Sequence, residues 1–155
     1  MPTERRVLTA AVLAIAVAGI LLMLSPRPGV GRDQVLSLLS TKQTVLGQAI
    51  VYPAEAPAKV DAAIVSMQPG EETGWHQHDV PMFGYVLEGE VTVDYGAKGT
   101  RVYRRGDALV EAIDVPHNGR NTGPDEARIL SVFMGANGVP DTEMLPKTPA
   151  AAAPQ

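Results

Sequence analysis

Apolar and polar residues follow three different rules along this chain. From Val7 to Leu24 the sequence VLTAAVLAIAVAGILLML contains no charged residue and no proline. Eighteen helical residues span about 27 Å, just enough to cross a bilayer. The run exceeds a usual signal-peptide core of roughly 7–15 residues, and no small-x-small site follows it before Ser25 and Pro26, so residues 1–24 are expected to form an uncleaved single-pass anchor. Cleavage after Ala18 is the alternative, giving a secreted or periplasmic protein. Arg5 and Arg6 ahead of the run place the N-terminus in the cytoplasm and the remainder on the extracytoplasmic, periplasmic side, although Arg27 and Arg32 reduce the charge asymmetry.

The second rule is short alternation. Residues 25–43 read as a linker, with SPRPGVGR as its spacer and a short helix over Gln34–Leu39, capped by Asp33, that packs Val35, Leu36, Leu38 and Leu39 downward. Strand-like runs follow at Thr44–Tyr52, Val60–Gln68, Gly84–Tyr95, Thr100–Arg104, Ala108–Ala112 and Ala127–Met134. Val91, Val93 and Tyr95 alternate with Thr92 and Asp94, which predicts one buried face, and Tyr95–Gly99 reads as a hairpin turn. Such spacing predicts an all-β sandwich or barrel over 44–138. The third regime, 139–155, is Ala/Pro-rich without periodicity and reads as a disordered tail.

Composition changes this picture little. The 155 residues suit one core, and 15 glycines, 13 prolines and few aromatics agree with many turns. A formal charge of −4 without a basic cluster in the body predicts no nucleic-acid partner. There is no cysteine, so any metal must be held by His, carboxylate, water or thioether.

Two of the three histidines lie in Gly74-Trp75-His76-Gln77-His78. On a strand, residues i and i+2 share a face, so two imidazoles converge while Trp75 and Gln77 point away. Gly70, His76, His78 and Gly89 fall in the spacing of the first motif of the cupin superfamily, and Gly106, His117 and Asn121 in that of the second. The chain therefore resembles a small single-domain cupin from about Thr44 to Gly138. The resemblance implies a jelly-roll β-barrel, preceded here by a transmembrane helix, and puts His76, His78 and His117 on the family's metal-ligand positions. One divalent transition-metal ion is implied as cofactor: Fe, Mn, Ni, Cu or Zn.

Two positions depart from the pattern. Met82 stands where the first motif has a glutamate, and Ala112-Ile113-Asp114 replaces Pro-x-Gly in the second. Met82 reads either as a soft ligand suited to copper or, the favoured reading, as an apolar wall. Glu111 supplies a carboxylate as ligand or general base if its side chain faces inward, and is a surface residue otherwise. Gly84 leaves space beside the metal, and Arg120 and Asn121 are read as bonding locally.

Open coordination predicts a small-molecule ligand or substrate. The leading expectation is a dioxygenase or isomerase acting on a small, oxygen-rich, anionic or enolate-like molecule, and the alternative is a non-catalytic binding or sensing cupin. A bare sheet edge is consistent with a homodimer.

Overall fold

The computed structural model describes residues 34–146, and these are all-β apart from one 3₁₀ turn. Nine strands run β1 (Ala58–Met67), β2 (His76–Gln77), β3 (Met82–Glu88), β4 (Glu90–Asp94), β5 (Thr100–Arg104), β6 (Ala108–Val110), β7 (Asn118–Asn121), β8 (Ala127–Ala136) and β9 (Glu143–Met144). They pair antiparallel in three sheets, ordered β1-β8-β3-β6, β5-β4-β7 and β2-β9. The closed barrel expected from the sequence is thus not closed by strand pairing among the described residues. The strands near the histidines are too short to complete a ring, and the register of β3 against β8 shifts between Val86 and Glu88.

The two larger sheets face each other across their apolar residues. Met67 of β1 and Ala127 of β8 pack with Val91 and Val93 of β4, Tyr95 and Ala112. The alternation in β4 is as the sequence predicts: Val91 and Val93 are buried, and Thr92 is half-buried on the other face. Tyr95–Gly99 is the expected hairpin turn, a 3₁₀ turn over Gly96–Lys98 closed by Tyr95 N–H donating to Gly99 O at 2.9 Å. Gly89 sits at φ 74° between β3 and β4, where a Cβ would lie 2.6 Å from Glu126 O. Only glycine fits this position.

Three expectations need correction. Residues 34–40 carry no helix, and Val35, Leu36, Leu38 and Leu39 are exposed. Six residues cannot repay helix nucleation without a packed apolar face. Thr44–Tyr52 is not a strand but a tight loop with one isolated bridge, Gln43 to Ala49, and turn bonds such as Thr44 N–H to Gln48 O at 2.9 Å. Residues 139–146, read as part of a disordered tail, are ordered: Glu143 pairs with Gln77 and Met144 with His76, and Leu145 N–H donates to Trp75 O at 2.9 Å. A two-residue pairing leaves no periodicity to detect. Residues 147–155 and the N-terminal run, including Val7–Leu24, lie outside the described residues. Among the described residues no helix is long and apolar enough to cross a membrane.

Candidate metal centre

The site begins with a backbone clasp between the two histidine segments. His76 N–H donates to His117 O at 3.0 Å and His117 N–H to His76 O at 2.8 Å, an isolated antiparallel bridge. This brings residues 41 apart in sequence side by side. His78 joins them by strand alternation, with Gln77 turned outward to donate to Glu143 Oε2 at 2.9 Å. The ring centroids lie 4.3 Å apart for His76 and His117, 4.9 Å for His76 and His78, and 5.0 Å for His78 and His117. One potential ligand atom from each ring falls within 4.8 Å of the other two.

Each Nδ1 faces a backbone carbonyl: Gly74 O at 2.8 Å for His76, Asp141 O at 2.9 Å for His78, and Val115 O at 2.8 Å for His117. A carbonyl can only accept, so every Nδ1 carries the proton and every Nε2 presents a lone pair. Nε2 of His78 is buried and has no hydrogen-bond partner among the described residues. Leaving such an atom unpaired is costly unless something binds it. Burial lowers the pKa of all three histidines, that of His78 to about 3 with help from His117 and His76. Three neutral imidazoles with converging lone pairs fit a divalent transition-metal ion, and the carbonyls behind them hold each ring's tautomer and orientation.

The rings open on a cavity of about 290 Å³ between the two larger sheets. Met82 lines it, the position the sequence reading favoured, and so does Glu111. Glu111 is buried and faces inward: its Oε1 accepts from Tyr95 Oη at 2.7 Å and from Ala112 N–H at 2.7 Å. Burial pushes its carboxyl pKa above the ordinary value, against the lowering effect of those two bonds. Tyr95 Oη also lies 3.1 Å from Tyr103 Oη, and burial raises the pKa of both phenols.

Of the other residues singled out from the sequence, Gly84 departs from its reading, while Trp75, Arg120 and Asn121 lie as expected. Gly84 lines the cavity, but the space beside it belongs to the cross-strand Leu109, whose Cδ2 would be 3.2 Å from an added Cβ. Trp75 is half-buried and does not line the cavity. Arg120 is exposed, with Glu72 3.7 Å away, and Asn121 is buried as a local brace, its Nδ2 donating to Met67 O and Asp125 O at 2.8 Å each. Thr142 and Met144 also line the cavity, and Thr142 Oγ1 lies 3.2 Å from His78 Nδ1. Sequence reasoning missed both, because the only signal in that segment is its place after the last long strand.

The sequence model of a family described as a cupin domain matches residues 63–133. The chain carries a cupin domain. Both histidine segments fall within the match. No curated protein matches the chain. Among solved structures, it is similar to a formate complex of oxalate decarboxylase from Lactobacillus farciminis at 27% identity and a TM-score of 0.49, over 56% of this chain and 26% of that one. It is also similar to the DMSP lyase DddQ from Ruegeria pomeroyi DSS-3 at 22% identity and a TM-score of 0.48, over 55% of this chain and 42% of that one. The match therefore spans about a quarter of the decarboxylase and about two fifths of the lyase.

Proposed function

We propose that this cupin domain holds one divalent transition-metal ion on Nε2 of His76, His78 and His117 and presents it to a small molecule in the adjoining cavity, as the centre of an isomerase- or dioxygenase-type reaction. The observation that carries this reading is the trio of carbonyl-anchored imidazoles, one with a buried and unpartnered Nε2. Bound there, the ion would supply Lewis acidity, since three neutral ligands leave its charge undiminished.

The protein's own groups supply the rest. Apolar walls exclude water, and the inward carboxyl of Glu111 can take or return a proton, held in place by Tyr95 and the Ala112 N–H. That proton-carrying group in the same cavity favours an enzyme over a purely binding module. We also propose that the two larger sheets are the halves of a jelly roll, and that Val7–Leu24 tethers the domain on the extracytoplasmic side of a membrane. The support for the tether is its sequence alone.

The test is metal content of the full-length chain, purified without a metal-binding tag. One transition-metal ion per chain, lost in both His76→Ala and His117→Ala while the β-sheet circular dichroism is kept, is the expected result. Retention of stoichiometric metal by both variants would overturn the site. A metal-loaded protein that binds small molecules but turns none over under oxygen-uptake and isomerisation assays would move the reading to a binding module.

A further inference from the structure

The cavity's lining describes its occupant more narrowly than the metal site does. Val65, Val86, Val93, Leu109, Ile129 and Phe133 are among its apolar lining residues, contributed by both larger sheets. The polar groups are few: the three histidines lie together, and Thr73, Tyr103, Glu111, Ser131 and Thr142 add side chains that are neutral or acidic. Among the described residues no lysine or arginine lines it. Arg101 is close enough to lower the pKa of Glu111 and Tyr103 but is itself exposed, as is Arg120.

These facts bear on charge and size. A ligand anion bound to the metal is compensated by the ion, but a second anionic group would lie against an apolar wall where no described lining residue is a cation. Burying an unpaired charge costs several kcal/mol even after relaxation. Glu111 shows the effect within the protein itself, since burial in this cavity disfavours its own charged form. A polyhydroxylated molecule fares little better, because most of its hydroxyls would lose water without gaining partners. At about 290 Å³ the cavity is at the lower end of ordinary small-ligand pockets, which run roughly 300–1,000 Å³, so it suits a small molecule.

Building on the proposed metal site, we infer that its natural ligand carries a single metal-binding head, neutral or monoanionic, on an apolar body that fills the space between the sheets. Di-acids and sugars are excluded as ligands. This narrows the oxygen-rich molecule expected from the sequence to one whose oxygens are confined to the end that meets the histidines.

Alkyl hydroxamates test the inference, because the ligating head stays constant while the body grows. The full-length protein is loaded with Co(II), whose visible spectrum reports ligation, and titrated with aceto-, butano- and hexanohydroxamate and with a hydroxamate of hexano length ending in a carboxylate. Each added methylene should tighten binding about fourfold, the equivalent of ~0.8 kcal/mol. The carboxylate-ended compound should bind at least about tenfold more weakly than hexanohydroxamate. Uptake of cobalt followed by equal affinity across the alkyl series, or by tighter binding of the carboxylate-ended compound, overturns the apolar body and leaves the metal site standing. Failure to take up cobalt at all overturns the metal site and the ligating head with it.

Discussion

The C-terminal strap offers the sharpest test of how the site is held. A chain ending at Pro140 lacks the carbonyl of Asp141 and the hydroxyl of Thr142, the two groups at Nδ1 of His78, together with the β9 pairing to β2 and the Leu145 N–H to Trp75 O bond. It keeps every residue of the β1-β8-β3-β6 and β5-β4-β7 sheets, so the fold should survive. The histidine then loses the bond that fixes its tautomer and ring orientation. A net hydrogen bond is worth about 1 kcal/mol, and losing the partner behind a metal-bound histidine typically lowers metal affinity 10- to 100-fold. The expected loss is therefore about 1.4–2.7 kcal/mol of metal binding. It is read by competition against a chromophoric chelator at pH 7.5, with circular dichroism confirming the sheet. Lys59→Met is the control: it removes the part-buried pairing of Lys59 with Asp141 Oδ2 at 3.2 Å but spares the carbonyl, so affinity should stay within about twofold. A truncated chain that binds metal within about threefold of the full-length protein would refute the idea that the strap is part of the centre.

Other expectations follow from the same structure. The metal-free protein should lose stability as pH falls below about 6.5, because unfolded histidines take up protons that buried His76, His78 and His117 resist; the loss is ~1.4 kcal/mol per pH unit for each histidine that stays neutral when folded. Glu111 acts in the opposite sense, its raised pKa favouring the fold at acid pH, but it is one group against three. Urea unfolding at pH 7.5, 6 and 5 checks the sign, and a rise in stability toward pH 5 would contradict it. Gly89→Ala should destabilise the domain by about 2–4 kcal/mol, since its Cβ meets backbone at Glu126 and Ala127 at a φ that disfavours alanine; an unchanged melting temperature would show that this turn yields freely. Asp114 has φ 54°, the only positive value among the described non-glycine residues, so Asp114→Val should cost about 1–2 kcal/mol while Asp114→Gly is near neutral. Equal denaturation midpoints for the two variants would argue against strain at that position.

Much of the centre was legible before any coordinates. Period-two alternation identified β4 and its buried face, Thr100–Arg104 coincides with β5, and spacing put all three histidines on one motif pair, because those signals are local and repeat within a few residues. Asp114, standing where the second motif has glycine, adopts φ 54°, a left-handed backbone that an Asp tolerates. What the sequence could not decide depends on partners distant along the chain. Strand parity left Glu111 free to face either way until the bond to Tyr95 turned it inward. Gly84 promised open space that Leu109 from the next strand fills. Residues 140–146 have no periodicity, yet they are ordered because His78, Gln77 and Trp75 offer them hydrogen bonds. A short apolar stretch such as Val35–Leu39 failed to form its helix for the converse reason, since a single turn gains little until something packs against it. Sequence by itself determined the strand periods and the motif positions of the three histidines that the fold brings together. Tertiary structure alone decided the inward carboxylate, the carbonyls that orient each imidazole and the apolar walls, because each is a contact between residues that only folding brings together.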